Sequence, residues 1–487
     1  MILTVKEMKD AEAKSNLNEY ELIHFVGKKL FQEIRKKINK KDRILIIVGN
    51  GNNGADGMVL CQYLVKYHYD VHLVFPLKLP NHTEAKNIFE EFNYPLIDCN
   101  DISSYLKETT IVVDALFGFS FHDALPEDIQ SLFTFIHTSK AKVFSIDINS
   151  GAEADTGKYD PYTIHSDITY ALGAYKLVHA LNKENHLARE IKLITLPIQP
   201  EPSTYIDMNE ELFFQKYPKP FVNDYKGTYG KALIIGGSYG MAGAASFNII
   251  GSKSMGAPFI EVGLPDEIYP ILASKFLYPV YLPFNEHNYV EKLSYTIENA
   301  KVIAFGSGAT NMPNKEKILN LIIEKANCPI IFDADALQLL KDNLFILKYA
   351  KNEVILTPHI GEFSALTHLS IEDIQGNRLE LAKDFARKHH VHLILKGVNT
   401  IVCSYNEKIY INKSGNSALA IAGSGDLLTG MLTGILLKQK DVFTSLCMAT
   451  YMHGHLADIY ASSHSKLHLD LEDYLSLADS LFQKQGF

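Results

Sequence analysis

Short apolar runs alternate with helical stretches along almost the whole chain, and this rhythm restricts the fold more than any other feature of the sequence. In the first half the runs 43–48, 71–75, 110–113 and 142–146 are separated by helical segments such as 58–67 and 83–92. Val/Ile/Leu-rich runs at that interval predict parallel strands covered by helices on both faces, because parallel neighbours need long crossovers. Ahead of them, residues 19–39 carry Ile23, Val26, Leu30, Phe31, Ile34 and Ile38 at three-and-four spacing, the mark of an amphipathic helix. The second half resumes with runs at 231–235, 259–262, 302–305, 329–333, 353–357, 393–395 and 400–403. Both halves are therefore α/β. In such sheets ligands bind beyond the C-terminal strand ends, so polar groups matter most there.

Between residues 196 and 226 the rhythm stops, and Pro197, Pro200, Pro202, Pro218 and Pro220 interrupt a stretch that is otherwise polar or aromatic. This predicts a join near residue 215 and two domains, 1–215 and 216–487. A chain of 487 residues is too long for one core, and 47% hydrophobic with 21% charged residues is enough for two. The formal charge of -9, with no dominant Lys/Arg block, argues against a nucleic-acid partner. Cys61, Cys99, Cys328, Cys403 and Cys447 are scattered and odd in number, so neither a disulfide frame nor a zinc site is expected, and a cytoplasmic location is. Residues 1–14 are too charged for a signal peptide. Residues 418–437 are nearly charge-free, but Asp426 and the glycines around it read as a loop entering a buried helix, not a membrane span. The histidine clusters at 389–392 and 453–455 have no carboxylate or cysteine at ligand spacing and read as surface or packing residues. Small-molecule partners and a homo-oligomer are expected.

The run at 44–48 leads into Gly49-Asn50-Gly51-Asn52-Asn53-Gly54-Ala55-Asp56-Gly57, with a helix expected from Met58. Glycines let a backbone close on a phosphate, and asparagine amides offer donors and acceptors without charge. That favours a nucleotide-like ligand, although the pattern is neither the dinucleotide fingerprint nor a P-loop, and a ligand-free tight turn is the plain alternative. Two more runs end on the same edge, in Asp114-Ala115-Leu116-Phe117-Gly118 and Asp147-Ile148-Asn149-Ser150-Gly151. Asn53, Asp114 and Ser150 are hard oxygen donors with one formal charge among them, which suits a monovalent cation and leaves Asp147 for proton transfer. Both aspartates also read as caps of the loops that follow.

These segments resemble the NAD(P)HX epimerase family over about residues 1–210, NAD(P)HX being the hydrated form of NADH or NADPH. The fold expected is a Rossmann-like, doubly wound parallel sheet. The resemblance implies that Asn52, Asn53, Gly54, Ala55 and Asp56, with Gly118, Phe119, Ser120, Phe121, His122, Asp123 and Ala124, line the hydrated nucleotide. It further implies that Asp147 contacts this substrate as a catalytic residue and that Asn53, Asp114 and Ser150 hold K+.

In the second half, Gly423-Ser424-Gly425-Asp426-Leu427-Leu428-Thr429-Gly430 sets a carboxylate where a glycine turn becomes an apolar helix. The first turn of such a helix offers unpaired N–H groups and the positive end of the dipole, so an anion hole stands beside a base. Phosphoryl transfer to a hydroxyl needs both. The plain alternative is that Asp426 is an N-cap. Further strand ends carry Gly306-Ser307-Gly308, Asp333-Ala334-Asp335, Thr357-Pro358-His359-Ile360-Gly361-Glu362 and Leu395-Lys396-Gly397-Val398-Asn399-Thr400, which together predict a phosphate-handling cleft.

These motifs resemble the ADP- or ATP-dependent NAD(P)HX dehydratase family over about residues 220–485, and imply a ribokinase-like α/β domain. By the resemblance, Lys396, Gly397, Val398, Asn399, Thr400 and Gly425 bind ADP or ATP, while Ala257, Gly308, His359 and Asp426 meet the hydrated substrate. Mg2+ is expected with the nucleotide, and Asp333 and Glu362 are candidates to organise it through water. The expected activity is therefore double: epimerisation of the R and S hydrates, then nucleotide-driven dehydration of the S form. Two rivals stay open, a vitamin-precursor kinase that releases a stable phosphate ester, and a first half that only binds ligands or proteins.

Overall fold

The computed structural model describes residues 1–80, 83–122, 124–182, 186–201, 203–225 and 227–487. The chain forms two compact units, Met1–Tyr205 and Ile206–Phe487. The division falls earlier than residue 215 because the Glu210–Lys216 helix buries Phe213 and Phe214 in the core of the second unit.

The first unit is built on β1 (Arg43–Val48), β2 (Asp70–Val74), β3 (Ile111–Ala115), β4 (Lys142–Ile146), β5 (Ser166–Leu172) and β6 (Ala188–Ile194). They lie in the order β2-β1-β3-β4-β5-β6, every pair parallel. Side chains alternate across β1: Ile44, Ile46 and Val48 pack with the Glu19–Ile34 and Asn52–Lys66 helices, Leu45 and Ile47 with Leu132 and Phe133 of the Glu127–Thr138 helix. Both faces are thus covered. The chain moves from β1 outward to β2 and then back to β3, and this reversal opens a crevice at the C-terminal strand ends. The sequence pattern does not announce β5 and β6, because Ser166-Asp167-Ile168-Thr169 and Arg189-Glu190-Ile191-Lys192 interleave polar side chains and β6 forms the sheet edge.

The second unit holds a longer sheet. After β7 (Tyr205–Ile206), at the join, come β8 (Ala232–Ile235), β9 (Ile260–Pro265), β10 (Val280–Phe284), β11 (Val302–Phe305), β12 (Ile330–Phe332), β13 (Val354–Leu356), β14 (His392–Leu395), β15 (Ile401–Cys403) and β16 (Ile409–Ile411). The order is β10-β9-β8-β11-β12-β13-β14-β15-β16-β7. Strands β8 to β14 pair in parallel, whereas β15 and β16 turn antiparallel. Its reversal lies between β8 and β11. Against this sheet the Ala242–Ser254 and Ser424–Lys438 helices run in the same direction in backbone contact, Phe247 beside Gly423 and Ser252 beside Gly434. Among the described residues no helix is long and apolar enough to cross a membrane.

Candidate active sites

In the first unit the helix after β1 starts at Asn52, not Met58, with Gly51 as an N-cap that offers no side-chain bond. The glycines serve contact more than looping. A Cβ on Gly54 would sit 2.0 Å from the Gly49 carbonyl oxygen, so only glycine lets the first helical turn press against the end of β1. Asn52, Asn53 and Asp56 consequently project from helical turns into a cavity of about 1030 Å³, which Gly118, Phe119, Ser120, Phe121, His122, Ala124 and Asp147 also line. Gly54 and Ala55 are buried beneath it and do not reach its wall. Asp123 lies outside the described residues.

Asp147 follows β4 in the left-handed region, φ 62°, a conformation that costs a non-glycine residue on the order of 1 kcal/mol. The backbone is held there from several sides. Lys176 Nζ donates to Asp147 Oδ1 at 2.5 Å and to the Leu172 carbonyl at 2.8 Å, and the Leu172 N–H reaches the same Oδ1 at 3.1 Å. His179 Nδ1 accepts from the Lys176 N–H at 2.9 Å, which leaves the ring proton on Nε2 to donate to the Asp147 carbonyl at 2.7 Å. Burial, reinforced by the Lys176 charge, lowers His179 to about 4, so this clamp stays neutral. Lys176 is 0% exposed. Sequence reasoning missed it because it belongs to no motif; the signal was that a buried Asp147 needs a cationic partner.

Asn53, Asp114 and Ser150 converge around Phe117. Asn53 Nδ2 donates to the Phe117 carbonyl at 2.9 Å, the Phe117 N–H donates to Ser150 Oγ at 2.9 Å, and Ser150 Oγ donates to Asp114 Oδ1 at 2.6 Å. The donor set is all oxygen with one carboxylate, which fits a weakly hydrated monovalent cation. Burial raises Asp114, against the Ser150 and Ser145 hydrogen bonds that favour its ionised form.

In the second unit Gly423 caps the Ser424–Lys438 helix at φ 90°, and a Cβ there would lie 2.4 Å from the Phe247 ring. Asp426 is the third helical residue and caps nothing. Burial, and next the charge of Asp333, raise its carboxyl to about 6, while the Ser307 hydroxyl and Lys396 pull the other way. Lys396, at the end of β14, donates to Asp333 Oδ1 at 2.9 Å and lies 3.8 Å from Glu362 Oε2. A Cβ on Gly425 would sit 3.2 Å from its ammonium. A cation placed at the positive end of a helix is unfavourable by itself and becomes favourable when both face an anion.

Asp333 also accepts from Thr357 at 2.7 Å on Oδ1 and from Thr429 at 2.9 Å on Oδ2, so both of its oxygens are engaged, and the Ser307 hydroxyl, 3.3 Å from Oδ2, has one proton to share between Asp333 and Asp426. Burial would raise this carboxyl, yet Lys396, Thr357 and Thr429 hold it below its ordinary range. Such a filled carboxylate fits the anchoring of Lys396 better than direct metal coordination. Among the described residues no cluster of three His, Cys, Asp or Glu side chains could hold a metal. The β14–β15 turn exposes Gly397 and Val398, while Thr400 Oγ1 donates to the Gly397 carbonyl at 3.0 Å and buried Asn399 donates to the Asn412 carbonyl at 3.1 Å. Buried Arg378, absent from the sequence expectation, braces this turn through the Asn399 carbonyl.

Residues 232–477 match the family model described as NAD(P)H-hydrate dehydratase, and residues 19–178 match that of the YjeF-related protein N-terminus. The chain belongs to the NAD(P)H-hydrate dehydratase family. Among its relatives is a bifunctional NAD(P)H-hydrate repair enzyme of Dictyoglomus turgidum, 26% identical over 479 residues that cover 92% of this chain and 91% of that one. A protein of the same description from Escherichia coli is 27% identical over 456 residues, covering 92% and 86%. A ribokinase-like superfamily protein from Enterococcus faecalis, 22% identical, superposes with a TM-score of 0.53 over 58% of this chain and 98% of its own, which shows the fold.

In this dehydratase-family chain His359 caps the Ile360–Thr367 helix, its Nδ1 accepting from Gly361 at 3.0 Å and Glu362 at 3.2 Å, while Glu362 accepts the His359 N–H at 2.8 Å. Nε2 lies 3.6 Å from Glu362 Oε1 on a ring that is otherwise exposed. Gly308 adopts φ 64° after β11, and its carbonyl is held by Ser238 Oγ at 2.8 Å. Ala257 does not join them. It is buried ahead of β9, at the N-terminal edge of the sheet, and its neighbour Gly256 meets Lys438 at the far end of the helix that carries Asp426. Twelve residues of helix place Lys438 about 18 Å from Asp426. The alanine that does reach the cleft is Ala244, whose Cβ lies 2.7 Å from where a Gly308 side chain would start. Gly-Ala occurs at 243–244 and again at 256–257, in the first turn of the Ala242–Ser254 helix and just past its end.

Proposed function

We propose that the chain repairs hydrated nicotinamide nucleotides with two activities: the first unit interconverts the R and S forms of NAD(P)HX, and the second dehydrates the S form at the expense of ADP or ATP. The observation that carries the dehydratase reading is Asp426, raised to about 6 and set in a first helical turn beside the Lys396 ammonium. A base matched to neutral pH and fixed positive groups for developing charge stand together there.

Asp426 takes the proton of the C6 hydroxyl as that oxygen attacks the terminal phosphorus of the nucleotide. Lys396 and the first-turn N–H groups, that of Gly425 among them, meet the phosphate oxygens in transfer. Phosphate then leaves C6, pushed by the ring nitrogen lone pair, and loss of a C5 proton restores the dihydropyridine; AMP or ADP and phosphate are released. Magnesium, when bound with the nucleotide, would neutralise polyphosphate charge, and Glu362, whose Oε2 lies 3.8 Å from Lys396, is the carboxylate assigned to organise it through water. Gly308 and His359 Nε2 are assigned to the hydrated ring and its neighbouring groups, and residues 396–400 to the adenine nucleotide.

In the first unit the cavity residues Asn52, Asn53, Asp56 and 118–122 are assigned to the hydrated nucleotide, Asp147 to the reacting ring, and Asn53, Asp114 and Ser150 to potassium. The five cysteines are free, which suits a reducing compartment such as the cytoplasm. The deciding experiment incubates the full chain with mixed R and S hydrates and either ADP or ATP, with and without potassium. Return of dihydronicotinamide absorbance, with both epimers consumed, supports the reading. Accumulation of a phosphate ester without that absorbance would replace it with a kinase.

A further inference from the structure

Four carboxyl groups line the cavity of the first unit: Glu12 from the Val5–Ala13 helix, Glu19 from the start of the Glu19–Ile34 helix, Asp56 from the Asn52–Lys66 helix, and Asp147 from the end of β4, with Lys176 beside them. The Val5–Ala13 helix is fixed over this cavity. Thr4 and Glu7 close a capping box at its start, the Val5 N–H donates to Asp155 Oδ1 at 2.8 Å, and the Leu3 N–H donates at 2.9 Å to the carbonyl of Tyr175, next to Lys176. Lys9, one turn before Glu12 on the same helix face, and Lys176 both lie 5.8 Å from the centre of the Phe119 ring. The face that bears Glu12 is therefore turned toward the Lys176–Asp147 pair. Asp56 is 7% exposed and its Oδ1 has no hydrogen-bond partner among the described residues, so a buried polar atom in the cavity wall awaits a ligand.

We propose that Glu12 is the catalytic acid–base residue of epimerisation, passing a proton to the C6 hydroxyl of the hydrated nucleotide and taking it back, a role that rests on the epimerase reading above. The other three carboxyls are less suited to carry that proton: Glu19 accepts from Asn52 Nδ2 at 2.6 Å at the mouth of the cavity. Asp147 is engaged by Lys176 at 2.5 Å and serves as a fixed negative charge. Asp56 is pushed well above its ordinary range, by burial first and then by Asp147 and Glu12, which favours its neutral form over the carboxylate needed to take up a proton. Glu12 is faced by Asp147, Lys176, Glu19, Lys9 and Asp56. Burial and then Asp147 raise it, Glu19 adds to the rise, Lys176 and Lys9 oppose it, and the balance lies at about 7. A group that exchanges a proton in both directions works best when its two forms are near balance.

The step is redox-neutral. Glu12 gives its proton to the hydroxyl as the C6–O bond breaks and the ring nitrogen lone pair forms a C6–N1 double bond, releasing water and a positive charge that faces Asp147. Water then adds to the opposite face of C6, the nitrogen recovers its lone pair, and the excess proton returns to Glu12.

The test uses the full chain with the R epimer and no nucleotide, following R and S by chiral chromatography. Glu12→Gln is expected to lower kcat about 10²- to 10⁴-fold with KM changed less than about threefold. The wild-type rate is expected to fall above about pH 7 as Glu12 loses its proton, and that limb should be absent in Glu12→Gln and return, with part of the rate, in Glu12→Asp. Dehydration of the S form with ADP or ATP should be unchanged in both variants, and a calorimetric transition of the first unit like that of the wild type shows that Glu12→Gln and Glu12→Asp fold. A Glu12→Gln protein within about threefold of the wild-type rate, or one that keeps the same pH limb, overturns the role of Glu12 alone. A wild-type protein that does not accelerate epimerisation removes the underlying reading, and the proposal with it, before any substitution is made.

Discussion

Asp426→Asn should exchange activity for stability, and both effects follow from one carboxyl. Burial and the neighbouring Asp333 charge move this acid from its ordinary 3.8 to about 6. At pH 7 about nine molecules in ten carry it ionised, and at pH 5 about one in ten, so kcat/KM for dehydration of the S form should fall about tenfold between those values. Asparagine cannot take the proton, and the rate should drop about 10²- to 10⁴-fold, or about 3 to 5 kcal/mol in the barrier, with the acid limb gone. The sign of the stability effect is opposite. Because the folded state holds this proton more tightly than the unfolded chain, the ionised group costs up to about 3 kcal/mol above pH 6, and nothing below about pH 3.8, where both states are protonated. Asp426→Asn should therefore be more stable than wild type at pH 7.5, by up to that amount, with the gain reduced to about half at pH 5. Calorimetry of the second unit's transition in the full chain is the suitable assay, since the chain has 0 tryptophans. A flat wild-type profile between pH 5 and 7, or an asparagine variant no more stable at pH 7.5 than at pH 5 relative to wild type, would refute the reasoning.

Further outcomes are expected elsewhere. Lys176→Met leaves Asp147 as an unpaired buried charge, so it should lower stability by about 3 to 5 kcal/mol in calorimetry and abolish epimerisation while S-epimer dehydration persists. Lys396→Met should raise the KM for ADP or ATP at least tenfold by steady-state kinetics, since the nucleotide loses its ammonium and Asp333 loses the partner that keeps it ionised. Replacing potassium by a bulky organic cation should slow epimerisation in the wild type and have no added effect in Asp114→Ala, read by the same chromatography. Gly423→Ala should depress the melting temperature and dehydration together, because a methyl group at φ 90° meets the Phe247 ring.

Continuous apolar runs made the first four strands of one sheet and most of the other readable, since burial on both faces demands them. Strands β5, β6, β7, β10 and β16 were not, because polar residues or brevity conceal them. Motif residues near strand ends were legible: Lys396, His359 and Gly308 follow strands of one sheet, Asp426 opens a helix of the same unit, and Asp114 and Asp147 stand at the ends of β3 and β4 in the other. What escaped was tertiary. Lys176 and Glu12 enter the first cavity from segments without any motif, and Ala244 rather than Ala257 neighbours Gly308, facts that depend on which way a helix points.

Each site stands on its own sheet and is supported by its own apolar core. Damage to one half therefore need not propagate to the other. A lineage that discarded the isomerase would still rescue molecules hydrated on the correct face at full speed, and would wait on uncatalysed inversion for the remainder. The penalty for such a loss is delay, and it grows with how fast a cell's pool of reduced cofactor is spoiled.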